Sequence, residues 1–162
     1  MSLEDKPEYR VLLAELSVEE EDFEHAISYY EDLLVENQGN AEIYKSLKEL
    51  YLETERYYKA LEMIDLLIGV PDEAALVPEY LFEKSRLEFL SLDDMVSGQR
   101  SLLEALKKGF RDKERLDELA GLVDPVFQEQ VERIILENLQ EEEPGAYPES
   151  VDDAETGTDE VD

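Results

Sequence analysis

The chain has no cysteine, no tryptophan, one histidine, seven glycines, and 15 basic residues against 44 acidic ones. Each shortage closes off some chemistry. Without cysteine there are no disulfide staples and no thiolate metal ligands, and such usage fits a reducing compartment. With His25 as the one histidine, a transition-metal site would have to be built from carboxylates. The sparse glycines fall at breaks in the chain or, for Gly98, at a helix crossing. No phosphate loop, dinucleotide turn or nucleophile elbow can be read from them. The strongest apolar run, residues 63–70, is interrupted by Asp65 and is too short to span a bilayer. No basic segment leads into an apolar stretch near Met1, so no secretory signal is visible and a soluble, cytoplasmic protein is the expectation.

What the chain has in excess is negative charge, a formal net of -29. Ten of the 44 acidic residues and no Lys or Arg fall in 140–162, so that segment carries -10 and the rest of the chain -19. Such a field repels phosphates and anionic lipid, which argues against nucleic acid and membrane partners, and it attracts basic proteins or cations. Acidity can also serve solubility alone or suit a salty cytoplasm. Two dense acidic runs, Glu19 to Asp22 and Glu141 to Glu143, lack the glycine and alternating oxygens of a calcium loop and read as solvated charge.

Apolar residues make up 43% of the chain, enough for one core. Before Gln140, Glu, Leu, Lys and Ala dominate, with apolar positions recurring every three or four residues, a helical pattern. Proline, glycine and Asx breaks divide it into eight predicted helices, at 7–18, 20–37, 41–54, 56–68, 73–92, 94–108, 113–122 and 125–141. The linkers are short, so neighbours should pack as antiparallel hairpins. Beyond Gln140 the composition turns to Glu, Asp, Gly, Pro, Ser and Thr. Too little apolar surface remains there to offset ordering entropy, so 140–162 is predicted to be a disordered acidic tail.

A self-match organises the helices. Asp22 to Tyr30 returns 34 residues later as Arg56 to Ile64, with Phe23 matching Tyr57, Ala26 matching Ala60 and Tyr30 matching Ile64. A repeat of that period resembles the tetratricopeptide repeat family, whose units are helix pairs A and B. Small residues at positions eight and twenty let the pair approach, and large ones fill the gaps. Tyr44, Leu47, Tyr51, Tyr57, Ala60 and Ile64 take positions 4, 7, 11, 17, 20 and 24 of the best-matching repeat, with Lys48 replacing the small residue at eight. An earlier unit carries Leu13, Ala14, Phe23, Ala26 and Tyr30, with poor matches at Arg10 and Ser17. A later one, offset by about 38 residues, carries Phe82, Phe89, Met95, Gly98, Leu102 and Ala105. In that register Arg86 falls at position eight, whereas a one-residue slip would put Ser85 there. Both registers stay open at this point. The stretch 108–112 followed by two helices resembles the end of many bacterial members.

The resemblance implies a right-handed α-solenoid. Three hairpins are expected at about 7–40, 41–74 and 79–112, with capping helices at 113–139. Ligands in this family usually lie in the groove lined by A helices. That register offers Glu8, Val11, Leu12, Glu15, Val18 and Glu19 from the first hairpin. The second offers Glu42, Lys45, Ser46, Glu49, Leu52 and Glu53, and the third Tyr80, Glu83, Lys84, Leu87, Leu90 and Ser91. The expected groove is acidic with an apolar floor and two lysines, suited to a basic or amphipathic peptide; a merely polar surface is the plainer alternative. One subtype, the clamp for the C-terminal carboxylate of heat-shock chaperones, needs Lys, Asn and Arg where this chain has Val11, Glu15, Ser46, Tyr80 and Lys84. It is not such a clamp, although its own last four residues, Asp159-Glu160-Val161-Asp162, resemble that clamp's ligand.

No catalytic set emerges. His25, at position nineteen, falls on the outer side of a B helix and reads as a surface residue. The resemblance therefore implies a non-enzymatic adaptor with no cofactor and no metal, bound to a protein partner. The alternatives are a small secretion or assembly chaperone for one client and, from another class, a carboxylate-based metal-binding protein or enzyme. A weak homodimer through Tyr9 and Leu13, or through Ile134 and Ile135, is a further expectation.

Overall fold

Asx side chains open most of the helices. Asp22, Asn40, Asp94, Asp112 and Asp124 accept hydrogen bonds from the amides of His25, Glu42, Ser97, Arg115 and Val126. These amides have no intrahelical partner, so each cap fixes where a helix begins. Pro7 and Pro125 stand at first helical positions, where a missing N–H costs nothing.

The structure, a computed structural model, describes residues 6–139. Eight α-helices follow: α1 (Pro7–Glu19), α2 (Phe23–Glu36), α3 (Ala41–Glu53), α4 (Tyr57–Ile68), α5 (Val77–Leu90), α6 (Met95–Lys107), α7 (Lys113–Leu122) and α8 (Pro125–Leu139). A 3-10 turn, Pro71–Leu76, precedes α5. The tail expected at 140–162 lies outside the described residues. The chain is an all-α solenoid of tetratricopeptide-like helix pairs, α1 with α2, α3 with α4 and α5 with α6, while α8 packs on α6 and α7.

Two helix starts differ from the expected ones for local reasons. Residues 20–22 are not helical, because Glu21 takes a left-handed backbone (φ 59) and the Asp22 cap lets α2 begin at Phe23. The helix expected from Glu73 begins at Val77 instead. Pro78 has no N–H to give to the carbonyl four residues back, so α-helical geometry cannot run through it and the preceding turn tightens to 3-10. Gly109, at φ 101, closes α6 in the left-handed conformation that glycine adopts without cost.

The turn geometry also decides the third register. Within the first two pairs, the Asp22 and Arg56 amides reach back five residues, to the Ser17 and Tyr51 carbonyls. Asp94 reaches back six, to Glu88. Each turn places a left-handed residue just before the cap, Glu21, Glu55 and Asp93. The third turn thus holds one extra residue, and the slipped register is the structural one. Ser85 is fully buried, as the small residue at position eight should be, while Arg86 is only partly buried.

One apolar cluster spans α1 to α5 and includes Ala14, Ala26, Leu47, Ala60, Ile64, Tyr80 and Leu87. A second, from α5 to α8, includes Phe82, Phe89, Leu102, Phe110, Leu116 and Ile135. Helix α5 contributes to both and so joins them. Phe82 and Phe110 stack at 4.1 Å with Arg115 lying over both rings. Ile135, read above as part of a self-association patch, is core at 4% exposure, so that patch does not exist on the surface.

Candidate functional site

Three adjoining hollows, which share Glu15 and Glu49 at their borders, form a cleft across α1, α3 and α5. Its first section lies between α1 and α3, with Val11, Tyr30 and Leu33 beneath Glu8, Glu15 and Glu42. It continues over Val18, Phe23 and Leu50, flanked by Glu15, Glu19, Glu49 and Glu53. Between α3 and α5 it is lined by Lys48, Glu49, Leu52, Ile64, Glu83, Arg86, Leu87 and Leu90. Helical periodicity accounts for the layout. Residues three and four apart on α1 and α3 share a face, with apolar groups turned to α2 or α4 and carboxylates at the rim.

Seven of the ten expected groove residues line this cleft: Val11, Glu15, Glu42, Glu49, Leu52, Glu83 and Leu87. The other three are engaged elsewhere. Lys45 Nζ donates to Glu73 Oε1 at 2.8 Å and to Glu42 Oε1 at 3.2 Å. The Tyr80 hydroxyl donates to Glu73 Oε2 at 2.6 Å, so Glu73 ties the 3-10 turn to α3 and α5 together. Hydrogen bonds from Lys45 and then Tyr80 hold the Glu73 carboxyl below its ordinary range. The Lys45 ammonium is raised by Glu73 first and Glu42 second. Lys84 donates to Asp65 of α4 at 2.5 Å. Both lysines assigned to the groove are therefore neutralised within the protein.

Two cations that the sequence did not single out for binding border the cleft instead. Lys48 fills the position where the repeat pattern wants a small residue. Its stem is buried, and its ammonium reaches Glu83 at 2.7 Å and Glu49 at 3.1 Å, so it links α3 to α5. Burial opposes its charge, but the hydrogen bond and field of Glu83 outweigh that and raise its pKa. Arg86 makes no ion pair among the described residues and lines the α3–α5 section. The slip to Ser85 was the signal that could have found it. In the same register the clamp positions of the third hairpin are occupied by Glu79 and Glu83 in place of Tyr80 and Lys84.

The α1–α3 section has the opposite character. Glu8, Glu15, Glu19 and Glu53 meet no cation among the described residues, and Val18 below them is 39% exposed. His25 is exposed, its Nδ1 2.7 Å from the capping carboxylate of Asp22, and stands on α2 rather than at the cleft. Among the described residues no group of three or more His, Cys, Asp or Glu side chains is placed to hold a metal ion. No helix there is long and apolar enough to cross a membrane.

No family model and no curated protein matches the sequence. Among solved structures, the N-terminal domain of stress-induced protein-1 (STI-1) from C. elegans is similar at 17% identity and a TM-score of 0.59, covering 75% of this chain and 98% of that one. At this identity the likeness speaks to fold, and it agrees with the helix pairs described above: this chain folds as a tetratricopeptide-like helical repeat.

Proposed function

We propose that the chain is a cytoplasmic, non-enzymatic interaction module. On this reading three tetratricopeptide-like hairpins and two capping helices hold a basic, amphipathic protein segment in the α1–α3–α5 cleft. One observation carries the proposal, the carboxylates Glu15, Glu19 and Glu53 standing without cations over the apolar floor of Val11, Val18 and Phe23. An apolar side chain seated on that floor supplies contact area, and Lys or Arg beside it answers the rim. Rim charges contribute little each in water, so they select and steer the ligand while the floor anchors it.

Anisotropy titration with two labelled peptides of one helical pattern, Lys/Leu and Glu/Leu, tests this. Binding of the Lys/Leu peptide is expected, with salt weakening it, and no binding of the Glu/Leu peptide. The triple change Glu15→Lys, Glu49→Lys and Glu53→Lys should reverse that preference, and Val18→Asp should weaken binding at unchanged helicity. Equal affinity for both peptides, or indifference to the triple change, would remove the proposal.

A further inference from the structure

From Arg10 to Lys84, six basic residues lie in ion pairs with the chain's acids, whereas residues 107–115 gather five of the 15 basic residues against two acidic ones. Arg115 is held by Glu79 at 2.6 Å and by the Phe82 and Phe110 rings. Arg111 donates to the Leu106 and Phe110 carbonyls at 2.6 and 2.9 Å, which fixes its place in the turn. Lys107, Lys108 and Lys113 are exposed and make no ion pair among the described residues. This corner is a concentrated positive surface on a chain of net charge -29.

One helix register and one packing contact bring the end of α8 to it. Short turns at 108–112 and 123–124 reverse the chain twice, and α8 packs on both α6 and α7, so α6 and α8 run the same way. Gln99 of α6 donates to Gln130 of α8 at 2.9 Å, an offset of 31 residues. Carried along the two helices, that offset sets Lys108 level with Leu139. Helices α7 and α8 line one cleft together, through residues that include Asp117, Ala120, Glu132 and Ile135. Leu139 itself packs into the cluster that holds Phe110 and Leu116.

The chain therefore leaves α8 at the positive corner, and the next acids are Glu141, Glu142 and Glu143. They lie two to four residues on, within about 7–14 Å of extended chain. We propose that the corner formed by Lys107, Lys108, Arg111 and Lys113 is a docking surface for the chain's own acidic segment 140–162, engaged first through Glu141, Glu142 and Glu143. The tether holds those carboxylates at an effective concentration of order millimolar, which offsets the weakness of each exposed pair. Charge holds the segment rather than packing, so added salt releases it. Docking draws a charge of -10 away from the acidic cleft and covers the positive corner against other anions.

The absence of native cysteine makes the test direct. A spin label on Ser150→Cys of the full chain is expected to broaden the amide signals of residues 107–113 at low salt. The effect should fade in about 0.5 M salt, where the screening length is about 4 Å. Either triple change, Lys107→Glu with Lys108→Glu and Lys113→Glu, or Glu141→Gln with Glu142→Gln and Glu143→Gln, should abolish the salt-sensitive part at unchanged helicity. Three results would overturn the proposal: broadening that salt and both variants leave alone, broadening centred on the α1–α3 cleft, or broadening between separately labelled molecules in a mixture.

Discussion

At Gly98 a single hydrogen sets how closely α6 approaches α5. A Cβ there would stand 2.6 Å from Phe89 Cδ1, and Phe89 is 3% exposed with little room to move. Gly98→Ala is expected to destabilise the fold by about 1–3 kcal/mol through overpacking, read as a lower urea midpoint at unchanged slope. An unchanged midpoint would contradict this packing. Two glutamates should respond to pH in opposite senses. Burial raises the pKa of Glu88, against the hydrogen bond that it accepts from Ser101 at 2.6 Å. Its charged form is thus disfavoured in the fold, and the cost is present above its folded pKa and gone below the unfolded value of 4.5. Glu31 is the reverse case, lowered by Lys59 and then Tyr51, so its contribution is present above 4.5 and lost as pH falls through its folded value. Thermal melts should find Glu88→Gln stabilising and Glu31→Gln destabilising at pH 7, with both differences shrinking on acidification. The same sign for the two at neutral pH would contradict these environments. At this scale the sequence was only partly legible. The helical period puts Lys45 and Lys84 on the groove side, but their partners Glu73 and Asp65 stand 28 and 19 residues away, beyond what spacing along one helix can reveal.

Among elements, the 3-10 turn Pro71–Leu76 depends most on one side chain. Glu73 alone bonds both Lys45 of α3 and Tyr80 of α5. Glu73→Ala should speed amide exchange in residues 71–76 and at the start of α5 while leaving α7 and α8 unchanged; uniform acceleration would mean that the turn is not held locally. The helices themselves were legible because their signals are local and redundant: apolar periodicity, Asx caps, and glycine or proline at the ends. The third register was not. One additional residue between Ser91 and Asp94 offsets every α5 position by one in a register anchored on α6, and no short-range signal marks it. That shift moved Lys84 into the expected groove and kept Arg86 out of it. The start of α5 was missed because Glu, Ala and Leu favour a helix through residues 73–76, whereas Pro78 forbids one.

For the whole molecule, charge and apolar surface act in opposite senses. Tyr9, Leu12 and Leu16 leave an apolar stripe exposed on α1, flanked by Glu8 and Glu15. Screening of a net charge of -29 should let that stripe self-associate, so sedimentation is expected to show more dimer as salt rises. Less dimer at higher salt would show that charge pairs, and not this stripe, hold the copies together. Ligand binding in the cleft should have the opposite salt dependence, because there charge attracts. The most direct measurement is chemical-shift mapping of the isotope-labelled chain titrated with the Lys/Leu peptide. The expected result is a set of shifted amides along α1, α3 and α5 that includes Glu15, Glu49 and Arg86 and shrinks as salt is added. Shifts confined to α2, α4 and α6, or unaffected by salt, would contradict the proposed cleft.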